Sequence, residues 1–213
     1  MANGEKENPR LSIITINYKT DDLILDLLKD LTPDPRIELI VVDNSPENTL
    51  EKKLNKREDL QYIFANKNLG FSGGNNLGIS KSKGEWVLLL NSDTKVSTPD
   101  VLRMFDTTIN NPVLVSTAKL IQPNGGIQNN VGMFDPIWIN PINYIFARPR
   151  MLDCKNLHDD TLVDYATGTN LMIHKSVFEK IGFLDDKNYF MYFEDVDFSL
   201  RLHNLGIKIL FIP

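Results

Sequence analysis

The sequence has very little cysteine, no long apolar run and no excess of positive charge. Its 213 residues include one cysteine, Cys154, which excludes an internal disulfide framework and a zinc site built from cysteines. No apolar run approaches the length of a membrane-spanning helix, and the N-terminal stretch MANGEKENPR lacks the apolar segment of a signal peptide. The formal net charge of -5 argues against a broad nucleic-acid-binding face. These absences favour a globular protein of a reducing, cytoplasmic compartment whose contact with any membrane would be peripheral.

Motifs of several enzyme classes are missing as well. The sequence contains no HExxH or His/Cys cluster for zinc, no GxSxG nucleophile elbow, and neither a GxGxxG fingerprint nor a Walker loop. His158, His174 and His203 are isolated along the chain, and we expect solvated, structural or capping roles for them rather than metal ligation. The sequence therefore gives no support to zinc chemistry, a serine nucleophile, dinucleotide binding or a P-loop.

The composition, with 42% hydrophobic and 24% charged residues, is ordinary for a globular protein and sufficient for one core. We expect residues 1–10 to be disordered and residues 11–213 to form a single domain. Clusters of apolar and β-branched residues predict strands over 11–18, 37–45, 60–65, 85–90 and 113–120. Helices are predicted over 21–31, 47–59 and 98–111, and the segment 66–84 is predicted to be a Gly- and Asn-rich loop that runs into a helix. Buried strands that alternate with helices predict an α/β fold with a mostly parallel central sheet flanked by helices.

The helix ends and the second half of the chain are predicted in less detail. Thr20 or Asp21 is expected to cap the first helix, and Thr98 to cap the helix that has Pro99 at its first position. Residues 121–160 have the composition of long irregular loops and include the aromatic stretch FDPIWINPINYIF. Regular structure is expected again over 164–174, with short helices over 175–183 and within 190–206 and a last strand over 207–213.

Polar residues lie at or just past the ends of four predicted strands. They are Asn17, Asp43, Asn66 and Asp93. Ligands of parallel sheets bind at the carboxyl ends of the strands, so these side chains predict a binding site at one edge of the sheet.

Each of these positions also has a purely structural explanation. Asp93, in NSDT after the strand EWVLLL, can hold a divalent cation that bridges phosphate oxygens, or it can form an ordinary turn. Asp43 can accept hydrogen bonds from a ribose or a base, or cap the turn DNSPE. The segment NLGFSGGNN can present backbone N–H groups to an anion, or serve as a flexible connection.

The segment YFMYFEDVDFSLRLHNLG carries a cluster of acids at the predicted start of a helix. Glu194, Asp195 and Asp197 interact favourably there with the helix dipole, which is a sufficient structural reason for acidic residues. A carboxylate beside apolar rings also tends to have a raised pKa and can act as a general base. Arg201 lies four residues after Asp197, a spacing that predicts an ion pair along the helix.

The order of these segments along the chain resembles glycosyltransferase family 2. It runs from the first strand through IVVDNS, NKNLGFSGGNN, LLLNSD and ATGTNLMIHKSVFEKIGFLDD to YFMYFEDVDFSLRLHNLG. The resemblance extends over roughly residues 10–213 and is greatest to rhamnosyltransferase-like members that build bacterial surface polysaccharide. It implies the GT-A (nucleotide-diphospho-sugar transferase) fold, with a nucleotide-sugar-binding half over 11–118 and a smaller acceptor-binding half over 119–213. Family members usually continue beyond the last strand, so the chain is expected to be truncated at its C-terminus.

The resemblance also implies roles for particular residues. Asp93 would bind Mg²⁺ or Mn²⁺ on the donor diphosphate, and Asn91 replaces the first acid of the family's DxD pattern. Asp195 would be the catalytic base, supported by Glu194, while Gly168 and Thr169 would lie near the acceptor. The donor nucleotide-sugar would be bound by Thr15, Asn17, Tyr18, Asp43, Asn66, Gly74, Asn75 and Ser92. Many family members have Arg or Lys at the position of Asn75, so no phosphate charge is assigned to it.

The activity implied by the resemblance is inverting transfer of a sugar. The donor would be a dTDP- or UDP-sugar, and the acceptor a hydroxyl of a saccharide or of a lipid-linked saccharide. The aromatic stretch 134–146 either packs partly into the core or contacts a lipid-linked acceptor at the inner face of a membrane. A nucleotidyltransferase is an alternative, but NYKTDD lacks the Gly-rich, basic loop expected after its first strand. A non-catalytic module that binds a saccharide or a partner protein is the other alternative.

Overall fold

The computed structural model describes residues 10–136, 139–140, 142 and 148–213. The expectation of disorder for residues 1–10 falls outside these ranges apart from Arg10, whose backbone N–H donates to the Arg36 carbonyl. Much of the aromatic stretch 134–146 also falls outside them.

Strands and helices alternate through the first half of the chain as the apolar pattern predicts, except between the second and third strands. The strands are β1 (Leu11–Asn17), β2 (Ile37–Asp43), β3 (Leu60–Phe64), β4 (Trp86–Leu90), β5 (Val115–Ala118), β6 (Leu120–Ile121), β7 (Ile127–Gln128), β8 (Val131–Met133), β9 (Arg150–Met151), β10 (Thr161–Val163), β11 (Tyr165–Ala166), β12 (Asn170–His174) and β13 (Ile209–Ile212). The helices described in full are α1 (Asp21–Asp30), α2 (Gly70–Lys81), α3 (Thr98–Ile109), α4 (Ser176–Ile181) and α5 (Glu194–Asn204).

An eight-stranded central sheet has the order β10-β13-β5-β12-β4-β1-β2-β3. Strands β4, β1, β2 and β3 are parallel neighbours, whereas β12 runs antiparallel between β4 and β5. Two smaller sheets lie in the second half, one of order β11-β8-β9 and one formed by β6 and β7. Because β12 is antiparallel, its first residues lie beside the end of β4, where the predicted metal turn begins.

Both faces of the central sheet are covered by apolar side chains. On β1, Ile13 packs into the cluster that includes Phe105 of α3, and Ile14 packs into the cluster that includes Phe198 of α5. All of these side chains are buried. Successive residues of a strand face opposite sides, so strands covered on both faces read as continuous apolar runs, as this sequence does.

Helix α2 lies unusually close to the sheet because glycines face β1. A Cβ atom at Gly78 would lie 2.5 Å from Ile14 Cγ2, and one at Gly74 would lie 3.1 Å from Ile16 Cδ1. The helix predicted to follow the loop within 66–84 is confirmed, and it begins already at Gly70, so most of that segment is helical.

The helix predicted over 47–59 is wrong, since this segment has only a 3₁₀ turn over Glu51–Lys53. Leu50 is fully buried, but Leu54 is the only other apolar residue of the segment, and two apolar side chains give a helix too narrow a face to pack.

The cap of α3 also differs from the prediction. Ser97, not Thr98, precedes the helix, and its Oγ accepts a hydrogen bond from the Asp100 backbone N–H. Thr20 does precede α1, yet its side chain makes no capping hydrogen bond.

Candidate active site

Asn17 and Asp43 lie opposite each other at the carboxyl ends of β1 and β2. The Asn17 amide Nδ2 donates to Asp43 Oδ1 at 3.0 Å and to Asp21 Oδ1 at 2.9 Å. Asp43 also accepts hydrogen bonds from the Ser45 backbone N–H and, at 2.7 Å, from the Tyr62 hydroxyl. Asp43 is fully buried, so in this conformation its carboxylate holds the ends of the strands together and does not face solvent.

The other residues at β1 and β3 that are predicted to bind the donor nucleotide-sugar differ in exposure. Tyr18 is 43% exposed at the end of β1, and Asn66 is exposed just past β3 with a left-handed φ of 57°. Thr15 is buried, and its Oγ1 has no hydrogen-bond partner among the described residues. A buried hydroxyl without a partner costs free energy, and a polar ligand group or water that reached it would remove that cost.

The first turn of α2 is attached to the segment that precedes α5. The Phe71 backbone N–H donates to the Phe190 carbonyl at 2.9 Å, and a Cβ atom at Gly70 would lie 2.2 Å from that oxygen. Asn75 is buried and donates from Nδ2 to the Phe71 carbonyl, while Gly74 packs against the end of the sheet. One of the first backbone N–H groups of α2 therefore already has a hydrogen-bond partner. Fewer of these groups remain for the anion contact that the sequence suggests.

The turn after β4 carries the predicted metal ligand. It is positioned by the Asn91 backbone N–H, which donates to the Thr169 carbonyl at 3.0 Å, and by Thr94 N–H, which donates to the Asn91 carbonyl. Asp93 is exposed, and its carboxylate makes no hydrogen bond or ion pair within the described part of the chain. The structure thus places Thr169, a predicted acceptor residue, directly beside this turn.

The residues present fit a cation that is shared with a phosphorylated ligand. Within the described ranges, no group of three His, Cys, Asp or Glu side chains is placed to hold a metal. Mg²⁺ and Mn²⁺ often take only one or two protein oxygens and complete their coordination with water and phosphate. The free carboxylate of Asp93, with Ser92 beside it, satisfies that requirement.

Asp195, the predicted base, lies in the first turn of α5 and is half-buried. Its Oδ2 accepts a hydrogen bond of 3.0 Å from the Tyr165 hydroxyl, and its Oδ1 accepts one of 2.8 Å from the Val196 backbone N–H. A Cβ atom at Gly168 would lie 4.0 Å from Asp195 Cβ and 3.1 Å from Phe71 Cε1. The predicted base and a predicted acceptor residue are therefore neighbours.

Glu194 is the more deeply buried of the two acids, and its Oε2 has no hydrogen-bond partner in the described structure. Burial raises the pKa of Glu194 above its ordinary value, and the nearby Asp195 acts in the same direction. The Asp197–Arg201 ion pair predicted from the sequence is confirmed, with 2.6 Å between Oδ2 and Nη2.

The large side chains directly before α5 are largely exposed, although the sequence suggested that aromatic rings there would lie against the acids. Phe190, Met191, Tyr192 and Phe193 are 50–73% exposed. Tyr192 and Phe193 have left-handed φ angles of 70° and 69°, an uncommon conformation for residues with a side chain. The ring that contacts Asp195 is instead that of Tyr165, which the sequence analysis missed because 30 residues separate the two.

Three features together define a GT-A type α/β domain. They are the strand order of the central sheet, the polar residues at the carboxyl ends of its parallel strands, and the two acids at the start of α5. A family model described as "Glycosyl transferase family 2" matches residues 12–182. The chain belongs to glycosyltransferase family 2.

Curated relatives and solved structures agree with this assignment. The chain is 31% identical over 203 residues to the low-salt glycan biosynthesis hexosyltransferase Agl10 of Haloferax volcanii, covering 93% of this chain and 63% of that protein. It is 25% identical over 213 residues to the rhamnosyltransferase WbbL of Escherichia coli strain K12, covering 94% and 80%. The mannosyltransferase PcManGT from Pyrobaculum calidifontis, in complex with GDP-Man and Mn²⁺, matches the fold with a TM-score of 0.64 at 14% identity, over 97% of this chain and 55% of that chain. The chain thus spans less than two thirds of the length of Agl10.

Proposed function

We propose that the chain transfers a sugar from a dTDP- or UDP-sugar to a hydroxyl of a saccharide or lipid-linked acceptor, with inversion, in the synthesis of cell-surface polysaccharide. The observation that carries the proposal is the placement of Asp195, oriented by two hydrogen bonds, beside Gly168. The names of three relatives support the class of donor and acceptor. They are WbbL, the dTDP-rhamnosyl transferase RfbF of Shigella flexneri, and the N-acetylglucosaminyl-diphospho-decaprenol L-rhamnosyltransferase of Mycobacterium tuberculosis.

The proposed reaction is a single in-line displacement. Asp195 accepts the proton of the acceptor hydroxyl as its oxygen forms a bond to the anomeric carbon. The bond from that carbon to the nucleoside diphosphate breaks on the opposite side, so the configuration inverts. Glu194, buried beside Asp195, supports the base.

Asp93 is the residue that would hold a divalent cation, Mg²⁺ or Mn²⁺, on the donor diphosphate, with Ser92 beside it. When bound, the cation neutralises the charge that develops on the departing diphosphate. The residues that we propose for the nucleotide-sugar site are Thr15, Asn17, Tyr18, Asp43, Asn66, Gly74, Asn75 and Ser92. The Mn²⁺ in the PcManGT complex supports the use of a divalent cation by this fold.

No helix within the described ranges has the length and apolar character needed to cross a membrane. We propose that the chain acts in the cytoplasm, at the inner face of the membrane when its acceptor is lipid-linked.

Calorimetric binding of UDP, dTDP and GDP, each with and without Mn²⁺, tests the donor site. We expect one nucleotide to bind in a metal-dependent way and the Asp93→Ala variant to lose that binding. Asp106→Ala, at an exposed position of α3, is the matched control and should bind as the wild type does. Metal-independent binding that survives in Asp93→Ala would overturn the assignment of Asp93.

An Asp195→Asn variant separates the transferase from its alternatives. We expect transfer to fall by about 10³-fold or more, in line with losses of a catalytic base, while nucleotide binding is retained. Asp197→Asn is the control, because Asp197 belongs to the same helical turn but pairs with Arg201. Full transfer by Asp195→Asn would contradict the base assignment, and nucleotide binding without any transfer by the wild type would favour a non-catalytic module.

A further inference from the structure

The Asp195 carboxylate is held from two sides by groups of different origin. Val196 N–H, which binds Oδ1, belongs to the same helical turn, whereas the Tyr165 hydroxyl, which binds Oδ2, comes from β11 in the second half of the sequence. A carboxylate in the first turn of a helix has several accessible rotamers. A second hydrogen bond from a fixed donor selects one of them.

Tyr165 is a well-held donor because contacts other than the one with Asp195 fix its position. Its ring is buried, with 6% exposure, and its backbone pairs with Gly132 of β8. The preceding residue, Asp164, is also buried and accepts hydrogen bonds from Lys208 and from the Phe134 backbone N–H. Asp164 also pairs with His203 of α5, so the segment that carries Tyr165 is held by contacts on both sides of it, none of which involves the Asp195 carboxylate.

The phenol of Tyr165 keeps its proton at working pH and so remains able to donate to Asp195. Burial raises its pKa well above the ordinary value for tyrosine, and the charge and hydrogen bond of Asp195 raise it further. A phenol that stays protonated does not compete with Asp195 for the acceptor proton.

We propose that Tyr165 is a positioning residue for the base, acting through Asp195 and holding its carboxylate beside Gly168 while the remaining lone pairs stay available to the acceptor hydroxyl. The inference rests on the proposed function, since it assumes that Asp195 is the base. A purely structural role for Tyr165 as a buried ring is the competing explanation, and Tyr165→Phe keeps the ring while it removes the hydroxyl.

The first test is a comparison of kcat and KM. Release of nucleoside diphosphate is measured with dTDP-L-rhamnose, UDP-glucose and GDP-mannose in the presence of Mn²⁺, with water as the acceptor. For the donor that is turned over, we expect Tyr165→Phe to lower kcat about ten-fold with less than about a two-fold change in donor KM. Tyr189→Phe, the same chemical change at a side chain without a hydrogen bond in the described structure, should leave both unchanged. A kcat of Tyr165→Phe equal to that of the wild type would overturn the proposal.

A double variant tests whether Tyr165 acts through Asp195. If it does, Tyr165→Phe combined with Asp195→Asn is no slower than Asp195→Asn alone, because the hydroxyl no longer has a base to orient. A further ten-fold loss in the double variant would contradict a positioning role. If Asp195→Asn itself is fully active, the proposed function fails at the base, whatever Tyr165 does.

A proton NMR measurement tests the contact without any turnover. The buried Tyr165 hydroxyl proton should give a slowly exchanging resonance that disappears in Tyr165→Phe and shifts in Asp195→Asn, with no shift in Asp197→Asn. A resonance that Asp195→Asn leaves unchanged would refute the pairing. If none of the three donors is turned over, the proposed function is contradicted, and this resonance still decides whether Tyr165 binds Asp195.

Discussion

Asp164 and His203 connect the segment before β11 to the last turn of α5, with 3.0 Å between Asp164 Oδ1 and His203 Nδ1. Asp164 Oδ1 also accepts a hydrogen bond from Lys208, and its Oδ2 accepts one from the Phe134 backbone N–H at 3.1 Å. His203 therefore pairs with a buried carboxylate, where the sequence suggested that it would cap the helix or be solvated. The Asp164 carboxylate thus contacts α5 through His203, the residues before β13 through Lys208, and the segment after β8 through Phe134.

An Asp164→Asn variant should unfold more easily at neutral pH. Burial raises the pKa of Asp164, but hydrogen bonds from Lys208 and His203 more than reverse that effect, so the pKa lies below its ordinary value of 3.8. Because the folded pKa is lowered, the stabilisation is present above that value and is lost as the pH falls through the folded pKa. We expect a loss of about 2 kcal/mol at neutral pH and a smaller difference in acid. Urea unfolding across the acid range checks both, and a difference independent of pH would contradict the charge argument.

Asn17→Asp should be strongly destabilising although the two side chains have the same shape. The Asn17 amide donates to Asp21 and Asp43, and an ionised aspartate in its place would donate nothing and add a third negative charge to a buried cluster. We expect a loss of about 3 kcal/mol in unfolding free energy. Asp26→Asn, which removes an exposed ion pair with Lys29, is the control and should leave the urea midpoint unchanged. Wild-type stability of Asn17→Asp would mean that the two carboxylates are not both charged.

Gly78→Ala should be destabilising although alanine is the better helix former. The added Cβ would lie 2.5 Å from Cγ2 of Ile14, which is fully buried and has no room to move. Overpacking of this kind costs about 1–3 kcal/mol, which more than offsets the ~1 kcal/mol gain in helix propensity. Thermal unfolding, with Ser80→Ala on the exposed side of the same helix as control, measures the difference. A more stable Gly78→Ala would show that α2 can move away from β1.

Glu194→Gln should stabilise the fold at neutral and alkaline pH. The folded-state pKa of Glu194 is raised, chiefly by burial, so the stability of the wild type decreases as the pH rises from 4.5 through the folded pKa. Glutamine has no charge to bury, and we expect a gain on the order of 1 kcal/mol above that range and no gain in acid. Urea unfolding in acid and at neutral pH, with the exposed Glu179→Gln as control, tests the sign. A loss of stability at neutral pH would indicate a hydrogen-bond role for the charged form.

The strands and the end of the sheet that carries the site were predictable because they depend on local patterns. Runs such as IELIVVD predict β2 directly, and parallel strands of similar length bring Asn17 and Asp43 together at their carboxyl ends. Asn66 and Asp93 also lie past strand ends. Within the described ranges, neither forms a hydrogen bond with another residue predicted to bind the nucleotide-sugar or its metal ion.

Contacts between distant segments could not be predicted from a single sequence. The antiparallel placement of β12 between β4 and β5 follows from how the sheet closes, and no periodicity within β12 indicates it. The exposure of the aromatic residues before α5 depends on left-handed backbone at Tyr192 and Phe193, which glycine would have signalled and aromatic residues do not. The Tyr165–Asp195 pair joins residues that only the tertiary fold makes neighbours.

Asp164 and Tyr165 are consecutive, yet they contact opposite ends of α5. Asp164 pairs with His203 in its last turn, and Tyr165 donates to Asp195 in its first turn. Because both contacts come from one dipeptide, we expect them to oppose tilting of α5 and its translation along its own axis. The proposed base and the β11-β8-β9 sheet are therefore linked through both ends of α5. With Asp195 as the proposed base, we expect an acceptor of a different size to be accommodated by the surrounding loops, because two hydrogen bonds hold this carboxylate in place.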